Sequence, residues 1–142
     1  MTLLLFHAGA TLAMVGLIWF VQLVHYPLFE LASERRFAAF AAEHQKRTAW
    51  VVVPLMLLEG ATAVALLLAP PLGLGRALPF LGALLLGLIW LSTAGLQVPQ
   101  HRRLARSRDV AAMRRLVKSN WLRTAGWTLR GALALELVRR AF

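Results

Sequence analysis

Four apolar runs, near 3–24, 49–69, 77–98 and 121–138, occupy more than half of this 142-residue chain. A hydrocarbon core of ~30 Å is crossed by about 20 residues at 1.5 Å rise each, and every run approaches that length. Inside a bilayer no water satisfies a free N–H or C=O, so each run must close its hydrogen bonds within itself. The expected fold is therefore all-α. It is a polytopic membrane four-helix bundle in a single domain, with spans of about 3–25, 48–69, 76–98 and 120–140. The first run has no Lys or Arg ahead of it and is too long for a secretory leader, so it is expected to remain in the protein.

The net charge of +10 suggests a polyanionic partner, but its placement speaks against nucleic acid. Four alternating spans put residues 26–48 and 99–120 on one side of the membrane. That side holds Arg35, Arg36, Lys46, Arg47, Arg102, Arg103, Arg106, Arg108, Arg114, Arg115, Lys118 and Arg123. The opposite side has Arg76, Arg139 and Arg140 near its surface. This is a positive-inside asymmetry, and it places both termini outside. The same basic rim is suited to anionic lipid headgroups. Cysteine is absent, which excludes disulfides and thiolate ligation.

Between the spans, "SERRFAAFAAEHQKR" aligns Phe37, Phe40, Ala41 and His44 on one helical face, with Ser33 as a candidate cap. "SRDVAAMRRLVKSN" does the same with Val110, Met113 and Val117, capped by Ser107 with Asp109 in the first turn. Both are expected as short amphipathic cytoplasmic helices lying on the bundle or the headgroups. In the outer turn "APPLGLG", Pro70 and Pro71 stop one helix and Gly73 and Gly75 permit reversal.

Ionisable residues within oil need a partner or a job. Glu59 lies eleven residues past Thr48, and Arg130 lies ten past Asn120, on helices running the same way. Both reach a depth of ~15–17 Å, so a Glu59–Arg130 contact is expected. It serves either as a docking pair or as a proton-handling or anion-holding group. His25, His44 and His101 come from three different helices and all arrive at the cytoplasmic rim, alongside Gln97, Asn120 and Arg123. Three neutral imidazoles with Glu30 or Glu43 can hold Zn, Fe or Cu, or the imidazoles can act as acid and base. They can also be plain interfacial residues with an apolar body and a polar tip. Asn120 suits an N-cap. His7 lies about 27 Å above His25 along one continuous helix and cannot share its site. A lone polar group near the outer surface and an axial haem ligand are the readings left for it.

Taken together, "GLIWFVQLVHYPLF", "EHQKRTAWVVVPLMLLE", "LQVPQHRRL" and "NWLRTAGWTLRG" resemble a group of small bacterial four-helix integral membrane proteins. That likeness places the chain in a bacterial inner (plasma) membrane and is silent on activity. The pattern is more loosely similar to anthrone-oxygenase-like membrane domains, with Asn120, Trp121 and Arg123 matching the start of their fourth helix. A weaker likeness is to small membrane protoporphyrinogen oxidases, which bind haem through a histidine early in helix one; His7 is the matching position. The last two likenesses imply redox chemistry on hydrophobic ring compounds.

Three functions follow. The first is a metal-dependent oxidoreductase or oxygenase for a lipid-soluble aromatic molecule. Its metal sits on His25, His44 and His101, with acid–base or hydrogen-atom work from His44 and Tyr26. Gln97, Asn120 and Arg123 orient the substrate head, and Trp127 and Trp19 flank its ring. The second is a non-enzymatic binder of lipid, quinone, haem or a partner subunit. The third is a proton-coupled transporter using Glu59, Arg130 and His7, which requires a homodimer because four helices enclose too thin a pathway.

Overall fold

The computed structural model describes residues 1–71 and 73–141, and among these every regular element is helical. Leu72 and Phe142 lie outside the described residues. Helix α1 (Thr2–Phe20) runs into a π-turn at Val21–His25, and short 3-10 turns follow at Pro27–Leu31 and Glu34–Arg36. Helix α2 (Phe37–Leu68) leads through the turn to α3 (Ala77–Ser92). A second π-turn, Thr93–Gln97, joins α3 to the short α4 (Val98–Leu104), and α5 (Val110–Ala141) returns. The long helices close a ring in which α1 touches α2 and α5, and α3 touches α2 and α5, leaving α2 and α5 facing each other across the middle.

Three stretches are long and apolar enough to cross a membrane: Thr2–Leu31, Glu34–Leu68 and Ala77–Leu104. Helix α5 has the length but not the composition, since Arg123, Arg130 and Glu136 interrupt it. Between 120 and 135 its charged and amide side chains are turned inward. Asn120, Arg123, Thr124, Trp127 and Arg130 are buried, whereas Trp121, Leu122, Ala125, Leu129, Ala132 and Leu135 are exposed. A helix in water would face the other way.

The two amphipathic segments are not separate helices. Phe37 begins α2 and Val110 begins α5, each an unbroken helix of 32 residues. At 1.5 Å per residue each spans about 48 Å, well beyond one hydrocarbon core. Nothing in either junction breaks a helix: "HQKRTAW" and "VKSNWLR" hold neither Gly nor Pro. Asn120 consequently lies in the interior of α5 and caps nothing. The cap is Asp109, whose Oδ1 accepts from the Ala112 N–H at 2.9 Å while its carbonyl accepts from Met113. Ser33 precedes Glu34–Arg36 without a side-chain cap bond.

The core is layered along the axis. At the turn end Leu4, Leu66, Leu74 and Leu137 pack together, and Met14, Ile18, Ile89 and Trp127 fill the middle. At the basic end Tyr26, Phe29, Phe37, Leu104, Met113 and Leu116 form a plug from the connecting segments. Close approach depends on three glycines. A Cβ at Gly60 would stand 2.9 Å from the Trp90 ring, one at Gly126 2.7 Å from Ile89, and one at Gly131 3.0 Å from Val15. A Cβ at Gly87, by contrast, would meet nothing within 4 Å.

Candidate functional site

The stretch "VQLVHYPLF" explains how the basic end is assembled. The π-turn at Val21–His25 inserts one extra residue per turn and carries the last helical side chains round, and Pro27 then opens the 3-10 turn. Gln22 and Tyr26 thereby point into the bundle, 3% exposed each, and His25 turns toward α2. The π-turn at Thr93–Gln97 does the same on the far wall, burying Gln97 to 1%.

The imidazoles meet in sequence. His25 Nε2 lies 2.7 Å from His44 Nδ1, with ring centroids 4.2 Å apart, and the Thr48 hydroxyl is 3.1 Å from the same nitrogen. His44 and His101 have centroids 5.8 Å apart, and His101 Nε2 bonds the Tyr26 hydroxyl at 3.1 Å. Phe29 holds the group from below, edge-on to His25 at 5.3 Å and to His44 at 5.0 Å. In an N–H···N contact one ring must accept, so at least one of His25 and His44 is neutral there.

A polar chain runs up the inner face of α5 from this level. Asn120 Nδ2 donates to Gln22 Oε1 at 2.8 Å, and Asn120 Oδ1 accepts from Arg123 Nη1 at 3.2 Å. Gln97 Nε2 donates to the Ser119 hydroxyl at 3.0 Å. The Arg123 guanidinium lies 5.1 Å over the Trp127 ring. Trp127 Nε1–H donates to Glu59 Oε2 at 3.0 Å, and Arg130 Nε donates to Glu59 Oε1 at 2.8 Å. Arg130 Nη1 also donates to the Gly82 carbonyl. The Glu59–Arg130 pair thus bridges α2 and α5 across the bundle centre, both side chains 1% exposed or less.

His7 is not the lone polar group of the sequence reading. Its Nδ1 stands 2.9 Å from the Thr62 hydroxyl, which itself donates to the Leu58 and Glu59 carbonyls. It lines a small void with Gly82 and Arg130 and belongs to the Glu59 layer, far from the other histidines.

A cavity of about 310 Å³ opens among α1, α2, α5 and the α3–α4 wall. Its walls are Met14, Leu17, Ile18, Val52, Val53, Met56 and Val98; its polar end carries Tyr26, His44, Thr48, Gln97, His101 and Arg123. A second hollow of about 570 Å³ lies between α1 and α2 and shares Leu17, Val21, His44 and Thr48 with it, so the His25–His44 pair stands at their boundary. Trp19 takes no part. It packs edge-on against Trp121 at 5.8 Å and donates to Thr128 at 3.0 Å on the outer surface, while Trp127 sits behind Arg123. The cavity walls are therefore aliphatic and thioether rather than tryptophan.

Among the described residues, no three His, Asp or Glu side chains are grouped as a metal site. Two ligands of a tetrahedral metal at ~2.0–2.1 Å stand about 3.3 Å apart, wider than the His25–His44 contact, so that pair must part slightly to admit an ion. The donor chemistry fits, since all three rings can be neutral and Tyr26 is placed to orient His101. Sequence reasoning passed over Thr48, although it stands at i+4 from His44, a readable helical signal. Ser119 and the cavity walls gave no local signal. No protein family, curated protein or solved structure matches the chain.

Proposed function

We propose that this chain is a multi-pass protein of a bacterial inner membrane, with α5 as a fourth crossing and both termini outside. Its basic-end cavity binds a lipid-soluble molecule, and the neighbouring imidazoles act on that molecule as the working groups of an oxidoreductase. The convergence of His44, His101, Tyr26, Gln97 and Arg123 on one apolar-walled cavity carries this reading. A cavity of this size with a few polar groups at one end is the usual form of a small-molecule site. The apolar outer face of α5 supports the fourth crossing.

His25, His44 and His101 are the residues that would hold a transition metal, Fe, Cu or Zn. Such an ion would supply Lewis-acid or redox chemistry beside the cavity. Tyr26 holds a proton at its hydroxyl in contact with His101 and so can pass it between ring and substrate. Arg123, fixed by Asn120 and Trp127, orients the substrate head. The aliphatic walls exclude water from the reacting end. The basic rim binds anionic headgroups and sets the depth of the bundle.

The test is elemental analysis and an absorption spectrum of the purified protein, with lipid extraction and mass spectrometry of whatever co-purifies. Bound metal and a bound lipophile, both lost in His44→Ala, are expected. Protein that carries neither, and takes up neither on addition, would overturn the reading.

A further inference from the structure

Two arginines on the inner face of α5 are both buried, Arg123 at 7% exposed and Arg130 at 2%, but their electrostatic situations differ. Seven residues separate them, which is two helical turns, or about 10.5 Å. Arg130 has its counter-charge, the Glu59 carboxylate at 2.8 Å. Arg123 has none. Among the described residues it makes no salt bridge, and no acidic side chain lines the cavity it faces. Its Nη1 is committed to the neutral Asn120, its Nε is buried with no partner, and Trp127 offers only the face of a ring.

A charge taken out of water is retained when something compensates it, and a ring face with one amide oxygen is weak compensation for a full guanidinium charge. Nothing else at that end of the cavity carries a negative charge, and the Tyr26 hydroxyl beside the guanidinium, Thr48 and Gln97 are able to donate. With Nη1 on Asn120 and the Tyr26 hydroxyl alongside, the guanidinium still has an unpartnered N–H at Nε, a donor suited to an anionic oxygen.

From these contacts we infer that the occupant of the cavity is an organic anion, a lipid-soluble acid whose carboxylate pairs with Arg123 while its apolar body lies along Met14, Leu17, Val52 and Met56. This deepens the cavity reading proposed above and rests on it. It makes the ligand the missing counter-ion, as Glu59 is for Arg130. The Asn120–Gln22 bond then has a purpose: it fixes the amide that holds Arg123 Nη1, and so keeps the guanidinium at the end of the cavity.

Binding of tritiated 2-naphthoate, and of the equally shaped but neutral 2-naphthamide, is measured on protein in phosphatidylcholine nanodiscs, with empty discs as the baseline. Wild-type protein is expected to bind the acid at least tenfold more tightly than the amide. Arg123→Gln is expected to abolish that preference and leave amide affinity within about twofold. Arg115→Gln, on the exposed face, is expected to keep it. Equal affinity for acid and amide in the wild type, which needs no variant to fold, overturns the inference and leaves the cavity standing. A preference that survives in Arg123→Gln, or disappears in Arg115→Gln, overturns it as well. Failure of both compounds to bind above the baseline overturns the cavity reading together with it.

Discussion

Replacing Glu59 by Leu tests the diagonal between α2 and α5. The substitution removes two acceptors at once: Oε1, which holds Arg130 at 2.8 Å, and Oε2, which holds the Trp127 indole N–H at 3.0 Å. Breaking a buried pair from one side costs ~3–5 kcal/mol, because the remaining charge is left uncompensated. Orphaning a buried N–H costs ~1–3 kcal/mol more. The two losses share one site and do not simply add, so a net destabilisation of about 4 kcal/mol is expected. The double variant Glu59→Leu/Arg130→Leu removes the stranded charge and leaves only the indole unsatisfied. It should therefore be more stable than the single variant by about 2–3 kcal/mol. Unfolding in mixed micelles by SDS titration, followed by far-UV circular dichroism, measures both without relying on Trp127 fluorescence. A single variant that loses less than about 1 kcal/mol refutes the reasoning. So does a double variant less stable than the single, because charge compensation would not then be what the pair supplies.

Other consequences are open to quicker tests. Purified protein should keep about one transition-metal ion per chain through desalting, and His44→Ala should lose it; metal-free protein that takes up no Zn, Fe or Cu argues against a metal at the imidazoles. Gly126→Ala places a Cβ against buried Ile89 and should cost ~1–3 kcal/mol. Gly87→Ala meets nothing and should be neutral or stabilising by up to ~1 kcal/mol, so equal effects of the two would contradict the packing. Because the chain has no cysteine, single Cys substitutions of Arg36, Arg106 and Arg76 can be labelled by an impermeant maleimide in intact spheroplasts. Labelling of the Arg76 position alone is expected. Labelling of all three, or of the first two only, would invert or abolish the proposed topology.

Helix existence was plain in the sequence because apolar length is a one-dimensional signal. Helix extent was not. Residues 37–47 and 110–119 look like separate amphipathic pieces because the composition changes from charged to apolar where they end. A helix ends for a different reason: its backbone must meet a breaker or a competing acceptor, and neither junction has one. Composition marks the change of solvent, while only Gly, Pro and capping groups mark the end of a helix. The same distinction accounts for Asn120. It stands where the composition changes, which resembles a helix start, yet its amide is spent on Gln22 and Arg123.

Depth and azimuth separate in the same way at the site. Counting 1.5 Å per residue along parallel helices put Glu59 level with Arg130, because rise is additive whatever the helix's rotation. Azimuth accumulates at about 100° per residue, so one extra residue in a π-turn carries every later side chain on to another face. Both walls of the cavity contain such a turn, Val21–His25 and Thr93–Gln97. Extrapolating a regular helix through either one therefore misdirects the side chains beyond it. Trp19, two residues ahead of the first insertion, points outward to Trp121 and Thr128, while Gln22, within it, points inward to Asn120. The polar residues of α5 needed no such correction, since α5 contains no insertion and Asn120, Arg123, Trp127 and Arg130 follow a regular three-and-four spacing. Between 120 and 135, where most other positions are apolar, that spacing identifies the protected face without coordinates. The cavity formed where this regular polar face met two walls rotated by π-turns.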